Sequence, residues 1–138
     1  MPEMMSGLEA AMAEASSSSW WQRARAGRDL ASFADVPEAA EALAGLLLDV
    51  EDTAVTRQTA EALARVGTAA AMRLIALTVA AADDNQADWL QTGVTDALVG
   101  PDDAPDVAVV CGQLARDPEE AVRRGAVEIS VWADDTGC

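Results

Sequence analysis

The sequence predicts an all-α fold built from about four stacked helical hairpins. Acidic turns recur every 34 residues, at Asp49, Asp83 and Asp117, and each follows an apolar stretch. A fixed period of this length is typical of repeats in which one helical pair is too thin to bury its own apolar face. Apolar residues make up 51% of the chain, and Ala, Leu, Glu and Arg favour helix. We therefore expect one helical domain spanning 1–138.

Eight segments carry apolar residues at helical spacing. They are 2–15, 20–33, 37–48, 53–66, 68–82, 83–99, 102–116 and 117–134. Ser16 to Ser19 is predicted to be a turn with a serine N-cap, and Gly67 a C-cap. Gly93 lies inside the sixth segment, where it costs about 1 kcal/mol relative to Ala, and close helix packing would offset that cost.

Breakers separate the segments. Pro37 suits the first position of the third helix, and Gly100-Pro101 ends the sixth. Pro105 limits how early the seventh helix begins in regular form, and the tail from Asp134 to Cys138 is expected to fray.

The net charge of −15 bears on the class of partner. Such an excess of negative charge leaves no phosphate-neutralising surface, which disfavours binding to nucleic acid and to anionic membranes and favours a basic protein partner. It also favours a monomer over an oligomer. The chain shows neither a signal peptide nor an apolar run of membrane-spanning length, so we expect a cytoplasmic location.

The residue types argue against an enzyme. The chain has no His, which excludes Ser-His, Cys-His and His-metal chemistry. Carboxylate pairs such as Asp83-Asp84 lie at predicted turns, where they cap helices. Cys111 falls among apolar positions and reads as a buried thiol, and Cys138 is the last residue. We expect no catalytic residues, no cofactor and no metal site.

Two of the repeats resemble HEAT-like repeats, which place an Asp in the turn, then an Arg, then small and aliphatic residues. The matching positions are Asp49, Arg57, Ala60 and Leu63, and Asp117, Val122, Arg123, Ala126 and Ile129. The segments from Trp20 to Phe33 and from Asp83 to Leu98 match less well, and in the latter Thr92 stands where an Arg is expected. The resemblance implies a right-handed α-solenoid whose second helices line a concave, protein-binding surface. Small acidic bacterial members look like immunity or accessory proteins.

Stacking of the hairpins would gather the acidic turns along one edge. This edge would hold Asp49, Glu51 and Asp52, then Asp83 and Asp84, then Asp117, Glu119 and Glu120. Two interpretations stay open at this point. The carboxylates either cap helices and keep the chain soluble, or they form a stripe that meets a basic surface.

The tryptophans and the second helices supply the other candidate contacts. Trp21 and Trp89 align in one column and are either packed between hairpins or anchors in a partner interface. Trp20 and Trp132 are expected to close the ends of the core. Arg57, Glu61 and Arg65 have the spacing of an i, i+4 charge ladder.

These observations lead to a non-enzymatic binding protein. The leading hypothesis is an immunity- or antitoxin-type inhibitor that occludes a basic partner such as a toxin. Its concave contacts would be Trp89, Asp88, Asp96, Glu61 and Arg57. The alternatives are a nucleic-acid mimic, which needs carboxylates spaced like phosphates along a convex ridge, and a scaffold module.

Overall fold

The computed structural model describes residues 3–99 and 107–135. Within these ranges it contains eight α-helices and one short 3-10 helix, and no strand, which confirms the all-α prediction. The helices are α1 (Glu3–Glu14), α2 (Trp20–Leu30) with the 3-10 helix Ala31–Phe33, α3 (Pro37–Leu47), α4 (Thr53–Val66), α5 (Ala69–Ala81), α6 (Asp84–Leu98), α7 (Val107–Leu114) and α8 (Glu120–Asp135).

The helix ends agree with the predicted bounds to within one residue for α3, α4, α5 and α6. The last helix begins later than expected, at Glu120, and α7 ends at Leu114 rather than at Arg116. Several predictions lie outside the described residues. They concern Pro2, the Gly100-Pro101 break, the start at Asp102, the limit at Pro105 and residues 136–138 of the predicted tail. The predicted tail begins at Asp134, but α8 continues to Asp135.

Side-chain caps fix most of the described helix starts. Asp52 accepts a hydrogen bond from the Ala54 amide, and Asp83 forms a capping box with Gln86 at the start of α6. Gly67 ends α4 in the left-handed region, with φ 66°, as predicted. The serine cap is different: Ser19 occupies the N-cap of α2 without a side-chain bond, and Ser17 Oγ accepts from the Ser19 amide instead.

The helices from α1 to α6 contact one another in a regular order. The first helices of each pair, α1, α3 and α5, touch in sequence, and so do the second helices, α2, α4 and α6. The core lies where these helices meet. Its largest fully buried side chains include Leu30, Leu43, Leu63, Met72 and Leu90.

Small residues let the second helices approach closely. A Cβ on Gly27 of α2 would lie 2.2 Å from Thr59 Oγ1 of α4, and a Cβ on Gly93 of α6 would lie 2.4 Å from the Arg57 carbonyl oxygen. Real Cβ atoms do not approach other atoms this closely, so both positions require glycine. The expectation that packing offsets the helix-breaking cost of Gly93 is thereby confirmed.

Helix α8 departs from this order, because it packs mainly on α5 and less on α6. A Cβ on Gly125 would lie 2.0 Å from the Ala76 carbonyl oxygen of α5, so the two backbones nearly touch. At the start of α8, Arg73 of α5 holds Asp117 at 2.8 Å. Near its other end, Trp132 lines a groove with Ala82, which follows α5. Helix α8 therefore runs in the same direction as α5.

This arrangement corrects the predicted acidic edge. The turn before α8 lies beside Arg73 of α5. Ala82, in the turn that precedes α6, comes nine residues after Arg73, so the two turns are about 14 Å apart along α5. Asp117, Glu119 and Glu120 therefore do not continue the edge formed by the earlier turns. The 34-residue repeat predicts that these residues lie on the same edge. The prediction is wrong because α8 packs closely on α5 at Gly125.

Candidate functional site

Two acidic turns lie side by side at one edge of the molecule. Gln86 Nε2, in the first turn of α6, donates to the Leu48 carbonyl oxygen before α4 at 3.3 Å. A cleft of about 180 Å³ lies between the two turns, and its lining includes Glu51, Asp52, Asp83 and Trp89. Stacking of the helical pairs thus brings these carboxylates together. We call Glu51, Asp52, Asp83 and Asp84 the acidic edge.

The acidic edge is open to solvent to different degrees. The Glu51 side chain is 73% exposed, and Asp83 and Asp84 are exposed. Asp52 is half-buried, since it caps α4 through the Ala54 amide at 2.9 Å. Asp83 likewise accepts from the Gln86 amide at 2.8 Å. Two of the four carboxylates therefore cap helices, as the first interpretation expects, and three of the four are exposed. The interpretation that they meet a basic surface stays a prediction.

Asp49 lies inward of this edge. It accepts from Arg23 Nε at 2.8 Å and from the amides of Glu51 and Asp52 at 3.0 and 2.8 Å, and the Asp49 and Arg23 side chains are each 9% exposed. Burial alone would raise the pKa of Asp49. The Arg23 guanidinium and the two amides outweigh burial, so the pKa lies below its ordinary value. Asp49 shapes the turn and does not belong to the exposed surface.

Arg23 is the residue that sequence reasoning missed. Besides Asp49, it binds the Ser17 carbonyl oxygen at 2.9 Å, so it ties the turn before α2 to the turn before α4. An arginine among the small residues of an inward face, next to Ala24, was the available signal, because a buried guanidinium needs a carboxylate partner.

A second acidic cluster surrounds Arg73. Asp117 lies 2.8 Å from Arg73 Nε and Glu119 lies 3.4 Å from Nη2. The bonds from Arg73 and from the Glu119 amide hold the pKa of Asp117 below its ordinary value. The Asp117 carboxylate is thus already paired within the chain.

Three predicted concave residues come together on α4 and α6. Arg57 Nη1 lies 3.2 Å from Glu61 Oε1 and 3.3 Å from Asp96 Oδ2. Arg65 binds the other oxygen of Glu61 at 2.8 Å, which confirms the predicted charge ladder on α4. The bond from Arg57 to Asp96 extends the ladder to α6. Asp88 lies apart from this group. It is exposed and lines a groove of about 440 Å³ between α6 and α8.

The tryptophans divide into different environments. Trp89 is half-buried in the cleft beside the acidic edge, next to Thr53 and Thr56. Trp21 is 49% exposed and Arg25 stacks over its ring at 5.0 Å. Trp132 is buried, as predicted, but Trp20 is 45% exposed and does not close the core.

Cys111 is buried, as predicted, and burial raises the pKa of its thiol, which keeps it protonated and unreactive. In residues 3–99 and 107–135, no three His, Cys, Asp or Glu side chains are placed to hold a metal ion. None of the helices in that part of the chain is long and apolar enough to cross a membrane.

No protein-family model, curated protein or solved structure matches this chain. The HEAT-like resemblance therefore stays a prediction from the repeat positions in the sequence.

Proposed function

We propose that this chain is a non-enzymatic, protein-binding module that occludes a basic partner protein, in the manner of an immunity or antitoxin protein. The acidic edge carries the proposal. Three of its carboxylates, Glu51, Asp52 and Asp83, come from two neighbouring turns and line one cleft, and Asp84 follows Asp83 in the chain. The net charge of the chain is −15. Such a field attracts a basic surface and increases its association rate.

We infer further that α1 to α6 form a short α-solenoid of the HEAT-like type, with the right-handed superhelix that the resemblance implies. The contact order of these helices and the small residues at Gly27 and Gly93 support this inference. The inverted α7–α8 pair would then close one end of the stack, as terminal repeats often do.

The cleft adds an apolar component to the attraction. Trp89 is half-buried between the two acidic turns, so a basic side chain that enters the cleft meets carboxylates at the rim and an indole ring in the wall. Indole rings also attract guanidinium and ammonium groups through their faces. A Lys or Arg of the partner fits this combination.

Affinity capture with a charge-neutralised variant tests the proposal. The edge variant carries Glu51→Gln, Asp52→Asn, Asp83→Asn and Asp84→Asn. Asn is as good an N-cap as Asp, so the caps of α4 and α6 survive while the charges disappear. The control variant carries Asp29→Asn, Asp35→Asn, Glu38→Gln and Glu41→Gln, which are exposed and distant in sequence from the edge. Both variants have the same net charge.

We expect the wild type and the control variant to capture the same basic protein from a lysate of the source cells, and the edge variant to lose it. Equal capture by both variants, or an acidic captured protein, would contradict the proposal. A captured DNA-binding protein that duplex DNA displaces would instead favour the nucleic-acid mimic.

A further inference from the structure

A groove lined by arginines lies on the exposed side of α2 and α4. Its volume is about 430 Å³, and Arg28, Arg57 and Arg65 line it together with Gln58, Glu61 and Ala62. The chain has only nine basic residues against 24 acidic ones, so three guanidinium groups in one groove are a marked local excess. We call this the arginine groove.

The charges inside the groove do not cancel. Arg57 and Arg65 share the single carboxylate of Glu61, and Arg57 also reaches Asp96 at 3.3 Å. Arg28 donates to the neutral side chain of Gln58 and makes no ion pair with a carboxylate in the described part of the chain. Three positive groups therefore face two negative ones.

The arginine groove begins beside the acidic edge and extends away from it. Counted from Asp52 along α4, Arg57 and Gln58, which accepts from Arg28, lie about 8 and 9 Å away, and Arg65 lies about 20 Å away. The Debye length at physiological ionic strength is about 8 Å. An anionic group between Arg28 and Arg65 therefore interacts more strongly with the guanidinium groups that it contacts than with the more distant acidic edge.

The surroundings of the groove have the composition of a protein interface. Trp21 precedes Arg28 by seven residues and so lies on the same side of α2, where it is 49% exposed. Trp and Arg are the side chains most enriched among residues that dominate binding energy. Exposed Asp and Glu, which are depleted at interface centres, are common elsewhere on this surface.

We propose that the arginine groove binds a carboxylate side chain of the partner protein, with Arg28 as its main ligand. The planar guanidinium donates two parallel hydrogen bonds to one carboxylate, which a neutral group cannot match. This inference deepens the proposed function: the partner is basic where it meets the acidic edge and presents an Asp or Glu about 10 to 20 Å away along α4. Opposite charges at two separated sites fix the orientation of the partner and exclude proteins that are merely basic.

Selection from a display library of random 12-residue peptides tests the groove directly and does not require the partner to be identified. The full-length wild type should enrich peptides that contain Asp or Glu. Arg28→Gln should lose this enrichment, and selected peptides should bind it about ten- to hundredfold more weakly, since hydrogen bonds between charged groups are lost. The matched control is Arg116→Gln, which removes one exposed arginine outside the groove.

The edge variant separates this inference from the proposed function. It should keep the enrichment of acidic peptides, because its arginine groove is intact. If Arg28→Gln lowers the melting temperature, Arg65→Gln replaces it in the same comparison. Absence of acidic peptides from the wild-type selection, or equal enrichment by the Arg28 and Arg116 variants, would overturn the groove assignment and leave the capture result at the acidic edge unaffected.

Discussion

Replacement of Gly93 by Ala tests the packing of α4 against α6. In an isolated helix the change would stabilise the chain by about 1 kcal/mol, because Ala is the better helix former. In this structure the new Cβ would lie 2.4 Å from the Arg57 carbonyl oxygen, 2.9 Å from Ala60 Cβ and 3.1 Å from the Glu61 amide nitrogen. These are mostly backbone atoms, so α4 and α6 must separate.

The magnitude follows from two opposed terms. Overpacking a core costs about 1 to 3 kcal/mol, and contact with two backbone atoms of α4 belongs at the upper end of that range. Subtraction of the gain in helix propensity leaves a destabilisation of about 2 kcal/mol. For a chain of 138 residues this corresponds to a melting temperature lower by about 6 to 8 °C.

Gly45→Ala provides the matched control. Gly45 is also inside a helix, α3, but no atom lies within 4 Å of its would-be Cβ. We expect it to stabilise the protein by about 0.5 to 1 kcal/mol. Urea unfolding followed by far-ultraviolet circular dichroism gives both values. A Gly93→Ala protein that is as stable as Gly45→Ala would refute the close α4–α6 contact.

Two further predictions concern the inverted last pair and the buried ion pair. Gly125→Ala should destabilise the protein by about 2 kcal/mol or more in the same unfolding assay, because the new Cβ would lie 2.0 Å from the Ala76 carbonyl oxygen. An unchanged free energy of unfolding would mean that α8 does not pack on α5. The pKa of Asp49 is lower in the folded chain than in the unfolded chain. Its contribution to the free energy of unfolding is therefore complete above the unfolded pKa of about 3.9, and it disappears as the pH falls through the lower folded pKa. Asp49→Asn should therefore cost about 2 kcal/mol at pH 7. The difference in unfolding free energy between variant and wild type should shrink as the pH falls through the folded pKa of Asp49, and a constant difference across the acid range would contradict the Arg23–Asp49 account.

Local patterns in the sequence were sufficient to predict where the helices lie and where several of them end. Apolar spacing, the Asp83 cap and the Gly67 stop are each settled by residues within one or two turns of one another, so they do not depend on the tertiary structure. The same holds for the Arg57, Glu61 and Arg65 ladder, which lies within one helix.

Contacts between helices explain what the sequence did not predict. The 34-residue repeat predicts that all three acidic turns share an edge. In the structure Gly125 of α8 packs against Ala76 of α5, α8 runs in the same direction as α5, and Asp117 lies beside Arg73. The burial of Asp49 depends on Arg23, which is 26 residues away. No periodicity specifies such pairs, because each requires the position of two helices to be known first.

The arginine groove illustrates the same point for function. The net charge of −15 predicts a basic partner and gives no sign of a positive groove. Only the packing of α2 against α4 brings Arg28 next to Arg57 and Arg65. A total charge thus describes the long-range approach of a partner, whereas the local pairing describes what it contacts after docking.

The most direct test of the acidic edge is the association rate of the captured partner as a function of ionic strength. Stopped-flow or surface plasmon resonance measurements between about 0.05 and 0.5 M salt, a range over which screening changes strongly, give this dependence for the wild type, the control variant and the edge variant. We expect the rate constant to fall by about tenfold or more for the wild type and the control variant, and to change little for the edge variant. The same steep salt dependence in the edge variant would contradict a steering role for Glu51, Asp52, Asp83 and Asp84.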